Sequence, residues 1–236
     1  SDLPAGLITS TDECRAYETD ALTAYRKMPL AVVLPKTTEE VSAVLKYCHD
    51  TGVKVVPRGA GTSLAGGAIP SEDAVVLGLS KMNRVLAVNY DDRFIRVEAG
   101  VTNLSVTAVV AENGFFYAPD PSSQLACTIG GNIANNSGGA HCLKYGVTTN
   151  NLLGVRMVLI DGSIIDLGGD YLDSAGLDLL GLVVGSEGQL GIVTEATLRI
   201  LKSAEGARPV LFGFPSCEGA GKAVADVIAA GIIPVA

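Results

Sequence analysis

Gly59, Gly61, Gly66 and Gly67, the hydroxyls of Thr62 and Ser63 and a single cation, Arg58, share one short stretch, Pro57–Gly67. Without a Cβ the backbone reaches φ > 0 and comes close to a ligand. Successive N–H groups can then turn toward one anion as a concave nest. Arg58 either adds charge to that nest or braces the loop around it. The chemistry suited to this composition is the binding of a diphosphate. Two familiar phosphate loops do not match. A Walker A loop ends in Gly-Lys-Ser/Thr, and no lysine lies between Lys54 and Lys81. A Rossmann loop opens a helix, whereas Gly66-Gly67-Ala68-Ile69-Pro70 breaks one. A plain glycine-rich turn remains the alternative from this loop alone.

Two further segments carry the same chemistry. Thr128-Ile129-Gly130-Gly131-Asn132-Ile133-Ala134-Asn135-Asn136-Ser137-Gly138-Gly139 holds two Gly-Gly pairs around small and amide side chains. Just upstream, Pro119-Asp120-Pro121-Ser122-Ser123 is a stiff turn with φ fixed at two positions. Gly185–Thr194 adds three glycines and Glu187. Three such loops, each expected at a strand end, suit a long ligand lying across two subdomains.

The elements that must hold these loops follow from periodicity. Residues 1–29 are polar with weak helical character. Leu30–Leu34 reads as a buried strand stopped by Pro35. Thr37-x-x-Glu40 forms a capping box ahead of Val41, Val44, Leu45 and Cys48, whose spacing is helical. Gly52 closes that helix. Strands at Val53–Val56 and Ala74–Leu79 then complete a β-α-β-loop-β unit over residues 30–88.

Residues 89–205 read differently. Arg93–Ala99 alternates, with Ile95 and Val97 on one face and Arg96 and Glu98 on the other, as in a half-exposed strand. A helix over Thr102–Asn113 carries Leu104, Ala108 and Ala111 on one side and stops at Gly114. Leu152–Ile160 and Ser163–Leu167 flank the hairpin signal Asp161-Gly162. Thr194–Leu201 alternates again, with Ala196, Leu198 and Ile200 on one face. Over residues 206–236, a strand at Val210–Phe214, a helix capped by Ser216 and ended by Gly231, and a strand at Ile232-Ile233 read as the start of a truncated substrate or cap domain. The chain is therefore expected to be the N-terminal part of something longer. The predicted class is α+β, a small β-α-β unit plus a larger, mainly antiparallel sheet with helices.

Composition narrows the function. Of 236 residues, 48% are hydrophobic and 18% charged, which suits a buried core and not disorder. A formal net charge of −8 lacks the basic footprint of nucleic-acid binding. Cys14, Cys48, Cys127, Cys142 and Cys217 form no CxxC. An odd, dispersed set suits a reducing compartment. No apolar run approaches a transmembrane helix, and the N-terminus carries no signal-peptide pattern. A cytoplasmic protein is expected.

The order of Pro57–Leu64, Asp120–Ser123, Thr128–Asn132, Asn136–Gly139, Lys144–Gly146 and Gly185–Thr194 resembles the PCMH-type FAD-binding domain of the vanillyl-alcohol-oxidase family. Within it, the chain looks most like the FAD-linked 2-hydroxyacid dehydrogenases of the glycolate-oxidase D-subunit type. The resemblance implies two α/β subdomains with FAD between them. It implies that Arg58, Gly59, Ala60, Gly61, Thr62 and Ser63 wrap the FAD pyrophosphate. Thr128, Gly130, Gly131, Asn132, Ser137 and Gly138 would line the isoalloxazine and ribityl side, with Pro119, Asp120 and Asn135 as further cofactor contacts. Glu187, Gly191, Ile192 and Val193 would close on the adenine and ribose end. Glu187 reads either as a ribose-binding acid or as a solvated loop carboxylate, and its glycine flanks favour the first. Some relatives hold the flavin covalently through a histidine in the first loop. Thr62 stands there in this sequence, so FAD is expected to be non-covalent.

The same resemblance implies oxidation of a small 2-hydroxy acid, glycolate or D-lactate, by hydride transfer to flavin N5. It also implies partner electron-transfer subunits, through which any peripheral membrane association would run. The alternatives are a non-catalytic FAD-binding subunit that relays electrons or stabilises an assembly, and a reductase of related fold fed by NADPH. Oxidising a 2-hydroxy acid needs a base for the hydroxyl and a cationic or metal site for the carboxylate. His49 and His141 are the only histidines. His49, late on a helix beside Asp50, reads as a helix-end cation or surface residue. His141 and Lys144, just after the second glycine cluster, are the candidates, and both read equally as loop residues. His141-Cys142 lacks the two further ligands that zinc takes, so no metal site is assigned. No base is assigned either: the family pattern places substrate- and metal-binding groups in a C-terminal half, and the chain alone is expected to be inactive.

Overall fold

The computed structural model describes residues 6–170 and 176–235. Strands β1 (Leu7–Ile8), β2 (Ala31–Val33), β3 (Lys54–Arg58) and β4 (Ala74–Gly78) form one sheet in the order β1-β2-β4-β3. β4 pairs in parallel with both β2 and β3, while β1 adds antiparallel at the edge. A parallel sheet needs cover on both faces. After the short helix α1 (Thr11–Cys14), Cys14 packs with Val32 and Val76 on one face. Helix α2 (Thr38–Thr51) brings Val41 and Leu45 to the other. The polar start of the chain thus supplies an edge strand and half of this sheet's cover. At the start of α2, Thr37 Oγ1 accepts from Glu40 N at 3.2 Å. Glu40 Oε2 accepts from Lys36 N at 2.7 Å, so the reciprocal half of the capping box closes one residue early.

The second sheet comprises β5 (Val85–Asn89), β6 (Phe94–Glu98), β8 (Leu152–Val158), β9 (Ile164–Gly168) and β10 (Ile192–Arg199). Its order is β5-β6-β10-β8-β9, antiparallel throughout. β7 (Phe115–Phe116) and β11 (Leu201–Lys202) make a separate two-stranded ribbon. Helices α3 (Asn103–Val110) and α4 (Ile129–Asn135) cover one face. There Val106, Val110, Ile129 and Ile133 join Ile95, Val97, Ala196 and Leu198 in the larger core. The Asp161-Gly162 hairpin forms, with Ser163 N donating to Asp161 Oδ1 at 2.9 Å. Helices α5 (Cys142–Tyr145), α6 (Leu179–Val183) and α7 (Cys217–Ala229) complete the described elements.

Four expectations are corrected. The buried residues of α3 are Asn103, Val106 and Val110, while Leu104 is 38% exposed. Its apolar residues fall on more than one side, so contact with the sheet and not periodicity selects its face. Glu98 is 3% exposed, because Arg84 lies over it. Arg84 donates Nη2 and Nε to Oε1 at 2.8 and 3.1 Å, and its backbone N–H to Oε2 at 2.7 Å. Thr128–Asn135, read as a loop, is the capped helix α4. No strand forms at Val210–Phe214 or Ile232-Ile233. Neither stretch lies paired with a described strand, and an unpaired strand has no partner for its N–H and C=O groups. Between them α7 does form, with Ser216 Oγ accepting from Gly219 N at 3.1 Å, yet none of its residues is buried.

The two sheets share a core. Val41 and Leu45 of α2 and Leu77 of β4 pack with Leu79, Met82, Ala99, Val158 of β8 and Ile192 of β10. Beside them Thr38 Oγ1 donates to Thr194 Oγ1 at 3.0 Å, both residues being buried. All five cysteines are free, and Cys14, Cys48 and Cys127 are buried. Among the described residues no helix is long and apolar enough to cross a membrane.

Candidate functional site

β3 ends at Arg58 and the chain turns into the first glycine loop. The backbone N–H groups of Gly59, Ala60, Gly61, Thr62 and Ser63 donate to no group among the described residues. The loop is held from behind. Arg58 Nη1 donates to Thr19 O at 2.8 Å and to Ala68 O at 3.2 Å, and the guanidinium lies 5.7 Å from the Tyr17 ring centroid. Burial pulls its pKa down, and a Cβ on Gly61 would strike it. Arg58 is therefore a brace. Asp20, 4% exposed, accepts from Leu22 N through Oδ1 at 3.0 Å and from Gly66 N through Oδ2 at 2.9 Å. Ala21 N donates to Ser63 O at 3.2 Å. These contacts occupy the loop's outer polar groups and leave the run of N–H groups unspent.

α4 stands across the cleft. Thr128 Oγ1 accepts from Gly131 N at 3.4 Å. Ile129 N and Gly130 N donate to Val101 O and Ala99 O at 2.9 and 2.8 Å, so the first turn rests on the end of β6. These bonds and the cap outweigh the poor helix propensity of Gly130-Gly131, which is why the segment reads as loop in the sequence. A Cβ on Gly59 would lie 2.5 Å from Thr128 Oγ1, so only glycine lets loop and helix approach this closely. The third segment docks on α4 through Gly185 N to Ile133 O at 2.9 Å and Glu187 N to Ala134 O at 2.8 Å. Glu187 has φ 54°, the left-handed region that favours glycine.

The three segments enclose a cleft of about 260 Å³. Arg58, Gly59, Ala60, Gly61, Thr62, Ser63, Thr128, Gly130, Gly131, Asn132, Asn135, Ser137, Glu187, Gly191, Ile192 and Val193 line it. Pro119, Asp120 and Gly138 lie behind that lining. Pro119 O accepts from Asn103 Nδ2 at 2.9 Å. Asp120 Oδ2 lies 2.6 Å from His141 Nδ1, and Asp120 Oδ1 accepts from His141 N at 3.3 Å. Gly138 is packed so closely on Cys142 and Val147 that no Cβ fits. His141 and Lys144 are outside the lining too, and Lys144 Nζ is exposed, 5.5 Å from the Tyr145 ring centroid. His49 is on the surface. Among the described residues no three metal-ligating side chains cluster. Ser123, Cys127 and Val183 also line the cleft. Ser123 was signalled by its motif, whereas Val183 looks like any core valine. Asp20 and Thr19 left no signal beyond a polar stretch.

The lining has three chemistries. Unspent N–H groups at Gly59–Ser63 suit a diphosphate. One carboxylate, Glu187, whose Oε2 lies 3.9 Å from where a Gly67 Cβ would be, suits sugar hydroxyls. Cys127, Val183, Ile192 and Val193 suit the faces of an aromatic ring. An FAD molecule makes these three demands, and the residues fit it.

Residues 29–168 match the family described as an FAD binding domain. Glycolate oxidase subunit GlcD of Escherichia coli (strain K12) is 51% identical over 228 residues, which cover 97% of this chain and 46% of that protein. D-lactate dehydrogenase of Archaeoglobus fulgidus is 40% identical over 219 residues, 92% of this chain and 49% of that protein. Among solved structures, alkyldihydroxyacetonephosphate synthase superposes with a TM-score of 0.82 at 23% identity, covering 99% of this chain and 44% of the other, a likeness of fold. The chain spans about half the length of the curated relatives it matches.

Proposed function

The chain belongs to the FAD-binding family that residues 29–168 match, and on that premise we propose that it holds FAD non-covalently for a flavoprotein that oxidises a small 2-hydroxy acid of the glycolate or D-lactate kind. The observation that carries this reading is the run of unspent N–H groups from Gly59 to Ser63 in the wall of a cleft whose other wall is α4. The names of its relatives, a glycolate oxidase subunit and a D-lactate dehydrogenase, support the substrate class.

In this reading Gly59–Ser63 bind the diphosphate through backbone N–H groups, and Glu187 accepts from ribose hydroxyls. Thr128, Gly130, Gly131, Asn132, Asn135 and Ser137 flank the ribityl and ring portion. Gly191, Ile192 and Val193 close with Glu187 on the adenine and ribose end. Pro119, Asp120 and Gly138 act from behind by fixing the wall. When bound, FAD supplies a two-electron, hydride-accepting ring. The base for the substrate hydroxyl and the cationic group for its carboxylate are assigned to no residue of this chain. We read residues 206–236 as the start of a substrate or cap domain, and α7 with its exposed Val224 as part of it. We further propose a cytoplasmic location, with partner electron-transfer subunits making any contact with a membrane.

The test has two stages. Purified protein reconstituted with FAD should show flavin absorbance, and acid precipitation should leave the flavin in the supernatant. A protein that takes up no flavin overturns the reading. Anaerobic addition of glycolate or D-lactate to the full-length gene product should then bleach the flavin. Bound but unreactive flavin would favour an electron-relay subunit.

A further inference from the structure

A chain of two amides runs from the back of the site to its wall, and its polarity is set at one end. Pro119 O can only accept, so the atom of Asn103 that faces it at 2.9 Å must be Nδ2. Asn103 Oδ1 is then the atom left to accept, and it does so from Asn132 Nδ2 at 2.9 Å. This leaves Asn132 with Oδ1 as its uncommitted atom, and no described group donates to it. Both residues are buried, Asn103 at 1% and Asn132 at 2% exposure, and Asn132 lines the cleft. Neither amide can turn over without setting oxygen against oxygen or N–H against N–H.

Two buried side-chain amides cost desolvation that apolar residues would not incur. Asn103 is buried on its helix together with Val106 and Val110, the other two buried residues there. Backbone contacts already join this region to α4: Asn103 N donates to Cys127 O at 3.0 Å, and Thr102 forms a bridge with Thr128. The side-chain pair is therefore not needed to tie α3 to α4. What it adds is direction.

We propose that Asn103 is a positioning residue that acts through Asn132, fixing its Oδ1 as an acceptor for an N–H or O–H donor of the bound cofactor. The proposal rests on the FAD reading for the identity of that cofactor. FAD offers such donors on the isoalloxazine ring and on the ribityl chain. An amide free to turn over would present its NH₂ half of the time and lose the discrimination.

The test is a double-mutant cycle on FAD affinity, followed by flavin fluorescence, in Asn103→Leu, Asn132→Leu and the double variant, with thermal unfolding measured for each. The loss of one hydrogen bond predicts about tenfold weaker FAD binding in each single variant. If Asn103 acts through Asn132, the double variant binds no worse than Asn132→Leu. Additive losses overturn the proposal, because a merely structural residue would weaken binding in either background. The amide chain itself is read in cofactor-free wild-type protein from the hydrogen exchange of the Asn132 side-chain amide. Slow exchange that becomes fast in Asn103→Leu supports it, and fast exchange in the wild type overturns it. A wild-type protein with slow exchange that takes up no FAD overturns the cofactor reading, and the FAD donor with it, while the amide chain stands.

Discussion

Asp20 Oδ2 accepts the backbone N–H of Gly66 at 2.9 Å, tying the N-terminal segment to the outer end of the first glycine loop. Its other oxygen closes the turn at Leu22 N. A single buried carboxylate therefore sets where the loop can lie. Asp20→Ala strands two donors and should cost about 1–3 kcal/mol in urea unfolding. It should also weaken FAD binding, because the loop no longer has a fixed outer anchor. Unchanged affinity would mean that the loop is shaped without Asp20.

Gly59 makes the second prediction. A Cβ there would sit 2.5 Å from Thr128 Oγ1, closer than real Cβ contacts come. Gly59→Ala should push loop and helix apart and reduce FAD affinity about tenfold or more, at small cost to the melting temperature. Adding Thr128→Ala removes the colliding atom and sacrifices a cap worth about 1 kcal/mol. The double variant should therefore bind FAD better than Gly59→Ala while melting lower.

How much of this was legible in the sequence depends on what each element answers to. The Asp161-Gly162 hairpin and the Thr37 cap are local devices, and both formed where the pattern put them. α4 was illegible because Gly130-Gly131 argues against a helix, and the bonds that start it come from Ala99 and Val101. Asp20 and Asn103 were missed for a related reason. Each is one ordinary polar residue whose partner is distant in the chain, and no spacing rule connects them. The strand expected at Val210–Phe214 failed the other way, since its apolar run finds no described neighbour to pair with.

A third prediction concerns pH. On the β8–β9 hairpin Arg156 faces Asp166, with Nε to Oδ1 at 2.9 Å and Nη2 to Oδ2 at 3.1 Å. That hydrogen bonding, helped by the guanidinium charge, holds the Asp166 carboxyl below its ordinary value. A lowered folded-state pKa gives stability that is complete above the unfolded value, about 3.9, and is lost as pH falls through the folded value. The pair is solvent-screened, its side chains 42% and 63% exposed, so its worth is about 0.5 kcal/mol. Asp166→Asn should lose that amount at neutral pH and match the wild type once the wild-type Asp166 carboxyl is protonated in both the folded and the unfolded state. Denaturant melts at the two pH values check this.

The fourth prediction separates His141 from the chemistry. Its Nδ1 is 2.6 Å from Asp120 Oδ2, and neither residue lines the cleft. His141→Ala should lower stability by about 1 kcal/mol and leave FAD affinity within about twofold. A large loss of affinity would put the pair in the site after all.

The core shared by the two sheets carries a consequence of its own. Val41 and Leu77 from the first sheet's side pack with Val158 and Ile192 of the second, and Thr38 is bonded to Thr194 beside them. The two sheets are therefore joined through packed side chains and not through the chain alone. Neither sheet can melt without uncovering the other, so both should unfold in one transition. Bound cofactor then raises the midpoint of that transition by mass action, which makes heat resistance a direct measure of occupancy.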